Sequence, residues 1–272
     1  MIARRSTVLI TGSSDGIGVA VAERLLRDGA SRVVLHARSR ERGERVLHAL
    51  APLGDVSLVT GEFTVLDQVR AMADDVLERY ARIDILVNDA GVGSATPRPR
   101  TIDGFELTWQ VNYLAAYLLT ARLRERIGAS APSLIMNVSS VGHELEAIHF
   151  DDLALRHRSY PRIEAYCQSK PAMIMCTYDL ADALRDCSAT VNALHLGTYV
   201  DTKTVRQSKN APLTSLDDGA ASVVHLVSGS GVADSTGGYY DMLQHTRSSA
   251  ASRDREQRRR LHEVKERLRR WL

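Results

Sequence analysis

The sequence predicts an α/β fold, a doubly wound parallel sheet inside a three-layer sandwich. Three observations predict it. Short runs rich in Val, Ile and Leu alternate with amphipathic runs along almost the whole chain. The strand runs are apolar at consecutive positions, the pattern of parallel strands buried on both faces. The first run ends in a glycine-rich turn that opens straight into a helix. The 272 residues suit one domain, over 1–251, with a basic amphipathic helix added over 252–272.

Seven strands are expected: Thr7–Thr11, Arg32–Ala37, Val56–Glu62, Ile83–Asn88, Leu134–Ser139, Thr190–Leu194 and Gly238–Met242. Helical periodicity marks Gly16–Asp28, Arg40–Leu50, Leu66–Tyr80, Gly104–Ile127, Ile163–Arg185 and Leu216–Val227 between them. Such β-α-β alternation implies right-handed crossovers. The expected strand order is 3-2-1-4-5-6-7, with ligand across the strand ends where the order reverses. In the last segment, Leu261, Val264, Leu268 and Trp271 recur at near-heptad spacing, which predicts one helix over Ser252–Leu272.

Composition excludes several classes. Apolar residues at 44% and charged residues at 25% describe a globular chain, not a disordered or fibrous one. No stretch approaches the run a membrane span needs, and the N-terminus lacks the apolar core of a secretory signal. Net charge is +2, too small to argue for a nucleic-acid partner. Residues 253–272 hold nine basic and four acidic side chains, so the tail carries +5 and the remainder −3. Cys167, Cys176 and Cys187 show no disulfide or zinc spacing, which points to a reducing, cytoplasmic setting. His143, Glu144, Glu146, His149, Asp151 and Asp152 share one segment but match no common metal site, so no metal is expected.

The turn Thr11-Gly12-Ser13-Ser14-Asp15-Gly16-Ile17-Gly18 is built to approach a phosphate. Gly12 allows the tight turn, Gly16 admits a pyrophosphate, and Gly18 permits close helix packing. The phosphates would lie at the positive end of the helix. Further along, Tyr166 and Lys170 are four apart and share a helix face. A phenol titrates near ~10 in water, and a neighbouring ammonium lowers that value. Such a pair exchanges protons with a carbonyl or alcohol oxygen.

With these motifs in order, the chain resembles the short-chain dehydrogenase/reductases. TGSSDGIG is similar to their TGxxxGIG, and Asn88-Asp89-Ala90-Gly91 to NNAG. Asn112 resembles the helix asparagine of the catalytic set, Asn137-Val138-Ser139-Ser140 the strand-end serine motif, and Tyr166-Cys167-Gln168-Ser169-Lys170 the YxxxK motif. DGFE (103–106), NVSSVGH (137–143), IHFDDL (148–153) and AYCQSK (165–170) resemble the retinol-dehydrogenase-like branch.

The resemblance implies a Rossmann-type fold and an oxidoreductase that transfers hydride between a nicotinamide dinucleotide and a small-molecule carbonyl or secondary alcohol. It implies Tyr166 as proton donor and acceptor, and Lys170 as its partner and ribose ligand. Ser140 would hold the substrate oxygen, and Asn112 a water linking Lys170 to solvent. The implied cofactor set is Gly12, Ser14, Asp15, Gly16, Ile17, Gly18, Arg38, Ser39, Glu62, Asn88, Ala90, Gly91, Tyr166, Lys170, Gly197, Val200 and Thr202. The resemblance implies Ser140 rather than Ser139, because the family's active serine is usually the second of the pair; neighbours on a strand point oppositely, so only one should face the site. The second strand ends in His36-Ala37-Arg38-Ser39 with no acid, and Arg38 suits a 2′-phosphate, so NADP(H) is preferred to NAD(H).

Three departures stand out. Asp89 replaces the second Asn of NNAG, and Pro171 follows Lys170 and predicts a kink. Leu196-Gly197 replaces Pro-Gly, and Tyr199 reads as one inserted residue. They motivate a second reading, a non-redox cyclase or dehydratase that uses Tyr166 as acid. The variable stretches are 92–101, 142–160 and 198–215. The branch implies an apolar substrate, while polar residues such as Asp201, Lys203, Arg206 and Lys209 favour a more polar one. Pairing through the helices Gly104–Ile127 and Ile163–Arg185 predicts a homodimer or homotetramer, unless the tail covers that face.

Overall fold

Eight strands form one sheet, one more than expected, in the order β3-β2-β1-β4-β5-β6-β7-β8. The structure is a computed structural model, which describes residues 6–93, 99–157, 162–207, 210–229, 235–266 and 268–272. Parts of all three variable stretches, Lys209 among them, lie outside the described residues. The parallel strands are β1 (Thr7–Ile10), β2 (Arg32–Ala37), β3 (Val56–Thr60), β4 (Ile85–Asn88), β5 (Ser133–Val138), β6 (Ala189–His195) and β7 (Tyr239–Asp241). β8 (Gln244–Thr246) runs antiparallel to β7. It has three exposed residues and no apolar position, so no hydrophobic pattern announces it.

Alternate strand residues feed two cores. Val8, Ile10, Val33, Leu35, Ile85, Val87, Leu134 and Met136 face α1 (Gly16–Arg27) and α8 (Leu216–Ser228). Leu9, Val34, Leu86, Ile135 and Val191 face α3 (Leu66–Arg79), α5 (Ala115–Ala129) and α6 (Arg162–Ala183). α2 (Arg40–Leu50) lies beside β2 and β3. Before α5 come a short turn, α4 (Leu107–Trp109), and a π-helical segment, Gln110–Leu114. α7 (Lys203–Gln207) follows β6 and was not foreseen. β1 pairs with β2 on one side and β4 on the other, so the chain order reverses there.

α6 is helical throughout, Pro171 included. Ala172, Met173, Ile174, Met175 and Cys176 are all buried, and that packing offsets the hydrogen bond a proline cannot make.

The tail is two helices rather than one, α9 (Ala250–Arg253) and α10 (Arg255–Glu266), closed by a 3₁₀ turn at Arg269–Trp271. Asp254 is extended, and its carboxylate accepts from Gln257 N at 2.8 Å, so it ends one helix and caps the next. Leu261, Val264, Leu268 and Trp271 are buried in the same core as α5 and α6. Arg258 binds Asp179 and Asp182 on α6, and Lys265, only 4% exposed, donates to Asp179 at 2.5 Å. The tail therefore seats on the helices expected to pair.

Candidate active site

The glycine turn lies at the reversal between β1 and β4. Gly12 has φ +74°, and a Cβ there would stand 2.8 Å from Ala90 Cα, so no larger residue fits. A Cβ on Gly18 would stand 2.8 Å from the Gly12 carbonyl oxygen. Thr11 ties the turn to the β4 end, its hydroxyl accepting from the Asp89 and Ala90 amides at 3.0 Å each. Asp15 caps α1 by accepting from Gly16 N at 2.8 Å, and Arg42 stands 3.6 Å from the same carboxylate. Ser14, Gly16 and Ile17 are half-exposed at the mouth.

Gly197 has φ +123° and packs against Thr214, while Tyr199 has φ +45°, a left-handed conformation unusual for an aromatic residue. This turn buries Val200 and brings the Thr202 methyl to 3.5 Å from where a Gly16 Cβ would be. A cleft of about 480 Å³ opens between Asp15, Gly16, Thr202, Lys203 and Arg206. Asp201 also lines the cleft and accepts from Arg206 at 2.6 and 2.8 Å. The narrow glycine backbone, the helix N-terminus and Lys203 fit the pyrophosphate of a dinucleotide.

Several residues of the implied cofactor set are placed differently from one another. Arg38 and Ser39 are exposed past β2. Glu62 is half-buried and accepts from Thr64 N at 3.2 Å. Asn88, expected at the cofactor, turns its side chain into the core. Its amide donates to Thr120 Oγ1 at 3.0 Å and to Asn137 Oδ1 at 2.8 Å, and Asn137 donates to Thr177. Alternation along β4 explains this, because Asn88 shares the face of Leu86. A Cβ on Gly91 would lie 3.4 Å from Asn112 Oδ1.

Asn112 lies in the π-helical segment, a local widening often found at functional sites. Its side chain accepts from Val92 N at 2.8 Å and donates to Val92 O at 3.1 Å and Ser169 Oγ at 3.3 Å.

At the end of β5 the two serines diverge. Ser139 is buried and donates to the Lys170 carbonyl at 3.0 Å. Ser140 is half-exposed and caps the 3₁₀ turn Val141–Glu144, accepting from Gly142 N at 3.1 Å. A methyl on Gly142 would meet Ser140 Oγ at 3.5 Å and the Tyr166 ring at 3.6 Å, so both groups crowd one glycine. The Lys170 ammonium is 4.8 Å from the Tyr166 ring centroid. Burial pushes the Asp89 carboxyl up to about 7, with Lys170 pulling the other way.

Two nearby histidines make contacts that their motifs do not announce. His143 Nδ1 donates to Ser140 O at 2.6 Å, since a carbonyl oxygen only accepts. His36, buried at the end of β2, bonds Gly12 N and Gly61 O. Among the described residues, ligand atoms of Glu146, His149 and Glu164 lie within 4.8 Å of one another, and His149 pairs with Glu146 at 2.9 Å.

The comparisons with known proteins agree with this geometry. The short chain dehydrogenase family model matches residues 6–212. Human retinol dehydrogenase 13 is 34% identical, over 94% of this chain and 82% of its own. Mouse retinol dehydrogenase 14 is 40% identical over 70% of this chain, and the match spans 60% of that protein. An uncharacterized Mycobacterium paratuberculosis protein superposes with a TM-score of 0.80 at 27% identity, over 97% of this chain and 93% of that one. The Pseudomonas aeruginosa RhlG/NADP complex gives 0.72 at 25% identity, over 88% and 94%. The 3-ketoacyl-(acyl-carrier-protein) reductase of Brucella melitensis, complexed with NADH, gives 0.68 at 25%, over 88% and 97%. With the glycine turn, the strand-end serine and the Tyr–Lys helix in one sheet edge, the chain belongs to the short-chain dehydrogenase/reductase family, in its retinol-dehydrogenase-like branch.

Proposed function

We propose that the chain interconverts the carbonyl and secondary alcohol of a small, largely apolar substrate with NADP(H), Tyr166 exchanging the proton. The dinucleotide, when bound, supplies or takes the hydride. The glycine turn, the start of α1 and the Lys203 side of the cleft would hold its phosphates. The observation that carries the reading is the crowding of Ser140 Oγ and Tyr166 on Gly142, with the Lys170 ammonium 4.8 Å from the phenol ring. The Lys170 ammonium thus stands beside the phenol that would carry the proton. Ser140 accepts from Gly142 N, so its own proton stays available for a substrate oxygen. In reduction Tyr166 Oη gives its proton to that oxygen, and in oxidation it takes one.

The 2′-phosphate preference is supported by exposed Arg38 and by the absence of an acid in Leu35–Ser39. An apolar substrate is supported by the names of the relatives and by exposed Leu145, Ile163 and Leu213 in the segments after β5 and β6. Among the described residues no helix is long and apolar enough to cross a membrane. Unpaired Cys167, Cys176 and Cys187 support a cytoplasmic setting.

The test is a panel of apolar aldehydes, ketones and alcohols followed by nicotinamide absorbance with each cofactor. Turnover that is faster with NADPH is expected. Equal or faster turnover with NADH overturns the preference, and cofactor binding without turnover overturns the redox reading.

A further inference from the structure

His36 is a buried histidine outside the proton-transfer set, and both of its ring nitrogens are engaged. Gly12 N–H donates to Nδ1 at 3.0 Å. A backbone N–H is only a donor, so Nδ1 carries the lone pair and the ring proton sits on Nε2. Nε2 then donates to the Gly61 carbonyl at 2.8 Å. The neutral Nε2–H tautomer is thereby fixed. The ring stacks on Phe63, centroids 4.5 Å apart and planes 21° apart. The backbone adds a third tie, since His36 N donates to Ser13 Oγ at 2.8 Å and Ser13 Oγ donates to Ile10 O at 2.8 Å. One residue thus joins the turn after β1 to the ends of β2 and β3. Burial lowers the imidazole to about 4, which keeps it neutral at physiological pH.

The Gly12 amide faces this ring, so it is spent on the protein. Ala90 also packs close to Gly12, leaving no room for a Cβ there. The turn is held by the protein before any ligand arrives, and preorganisation of this kind lowers the cost of binding. Among side chains of this size, the imidazole alone offers an acceptor and a donor on opposite edges of a rigid plane.

We propose that His36 is a positioning residue for the dinucleotide, holding the glycine turn through Nδ1 and the β3 end through Nε2. This rests on the reading of the turn as a cofactor site. It adds a determinant of cofactor affinity that touches no substrate.

Two variants separate the bonds. In His36→Asn the side-chain oxygen stands near the place of Nδ1 and accepts from Gly12 N. In His36→Gln the amide nitrogen reaches the place of Nε2, and the Gly12 amide loses its acceptor. The measurement is the Kd for NADPH and for NADH, by fluorescence titration, beside the Tm of each ligand-free protein. The proposal predicts that His36→Asn stays within about threefold of the native Kd, while His36→Gln weakens it by about tenfold, the scale of one lost hydrogen bond. If Kd loss follows Tm loss in both variants alike, the residue is merely structural and the proposal is overturned. Long-range ¹⁵N–¹H spectra of the native protein test it without any variant. An Nε2–H tautomer is expected, and an Nδ1–H tautomer or a cation at neutral pH overturns it. If the native protein binds neither cofactor, the cofactor reading fails first, and the spectra still judge the tautomer.

Discussion

Ser139 Oγ donates a 3.0 Å hydrogen bond to the main-chain carbonyl of Lys170, while its neighbour Ser140 turns toward Gly142 and Tyr166. Adjacent strand residues point oppositely, so one serine serves the helix and the other the site.

The two serines should therefore separate in kinetics and stability. Ser140→Ala is expected to lower kcat/KM by about 10²–10³ with little change in Tm, the cost of a donor lost at a developing oxyanion. Ser139→Ala is expected to cost about 1 kcal/mol of stability and leave kcat/KM within a few fold. Steady-state rates and thermal melts of both variants check this, and equal losses contradict it.

Asp89 makes stability depend on pH. Its carboxyl is held at about 7 by burial, against ~3.9 in an unfolded chain. Between these values the folded state binds the extra proton, so Asp89 lowers stability progressively as pH rises, and the full cost is present above about 7. Asp89→Asn should raise Tm by several degrees at about pH 8 and leave it unchanged near pH 4. A melt series across pH decides. An equal gain at both ends contradicts the assignment.

One carboxylate ties the tail at two points. Asp179 receives both Arg258 and buried Lys265. Removing it leaves a buried ammonium unpaired, and Asp179→Asn is expected to cost about 2–3 kcal/mol, the lower end for a broken buried pair because Asp179 is partly exposed. Denaturant unfolding measures this. With the tail in place the face of α5 and α6 is covered, so light scattering should give a mass near 30.0 kDa for the full chain. Deleting residues 250–272 should cause association. A dimer of the full-length chain contradicts the cover.

The sheet was legible because buried parallel strands repeat Val, Ile and Leu on consecutive positions. β8 was not, since Gln244–Thr246 pairs through its backbone and has no apolar side chain to betray it. The turn, Ser140, Tyr166 and Lys170 were legible as short motifs of fixed spacing. The motif does not say which face the Asn88 side chain takes, and the strand turns it into the core. His36 left no trace, because its partners Gly12 and Gly61 meet it only once three strands are aligned. Asp254 split the tail by capping a new helix inside a periodic pattern, a signal that apolar spacing alone masks.

The central claim is that Tyr166 moves the proton while the rest of the site holds the cofactor. Single-turnover NADPH oxidation by Tyr166→Phe, with NADPH binding measured on the same sample, tests it most directly. The account predicts a rate lower by at least about 10², the scale of a lost general acid, with Kd within about twofold of native. A Tyr166→Phe protein that keeps most of its rate would contradict it.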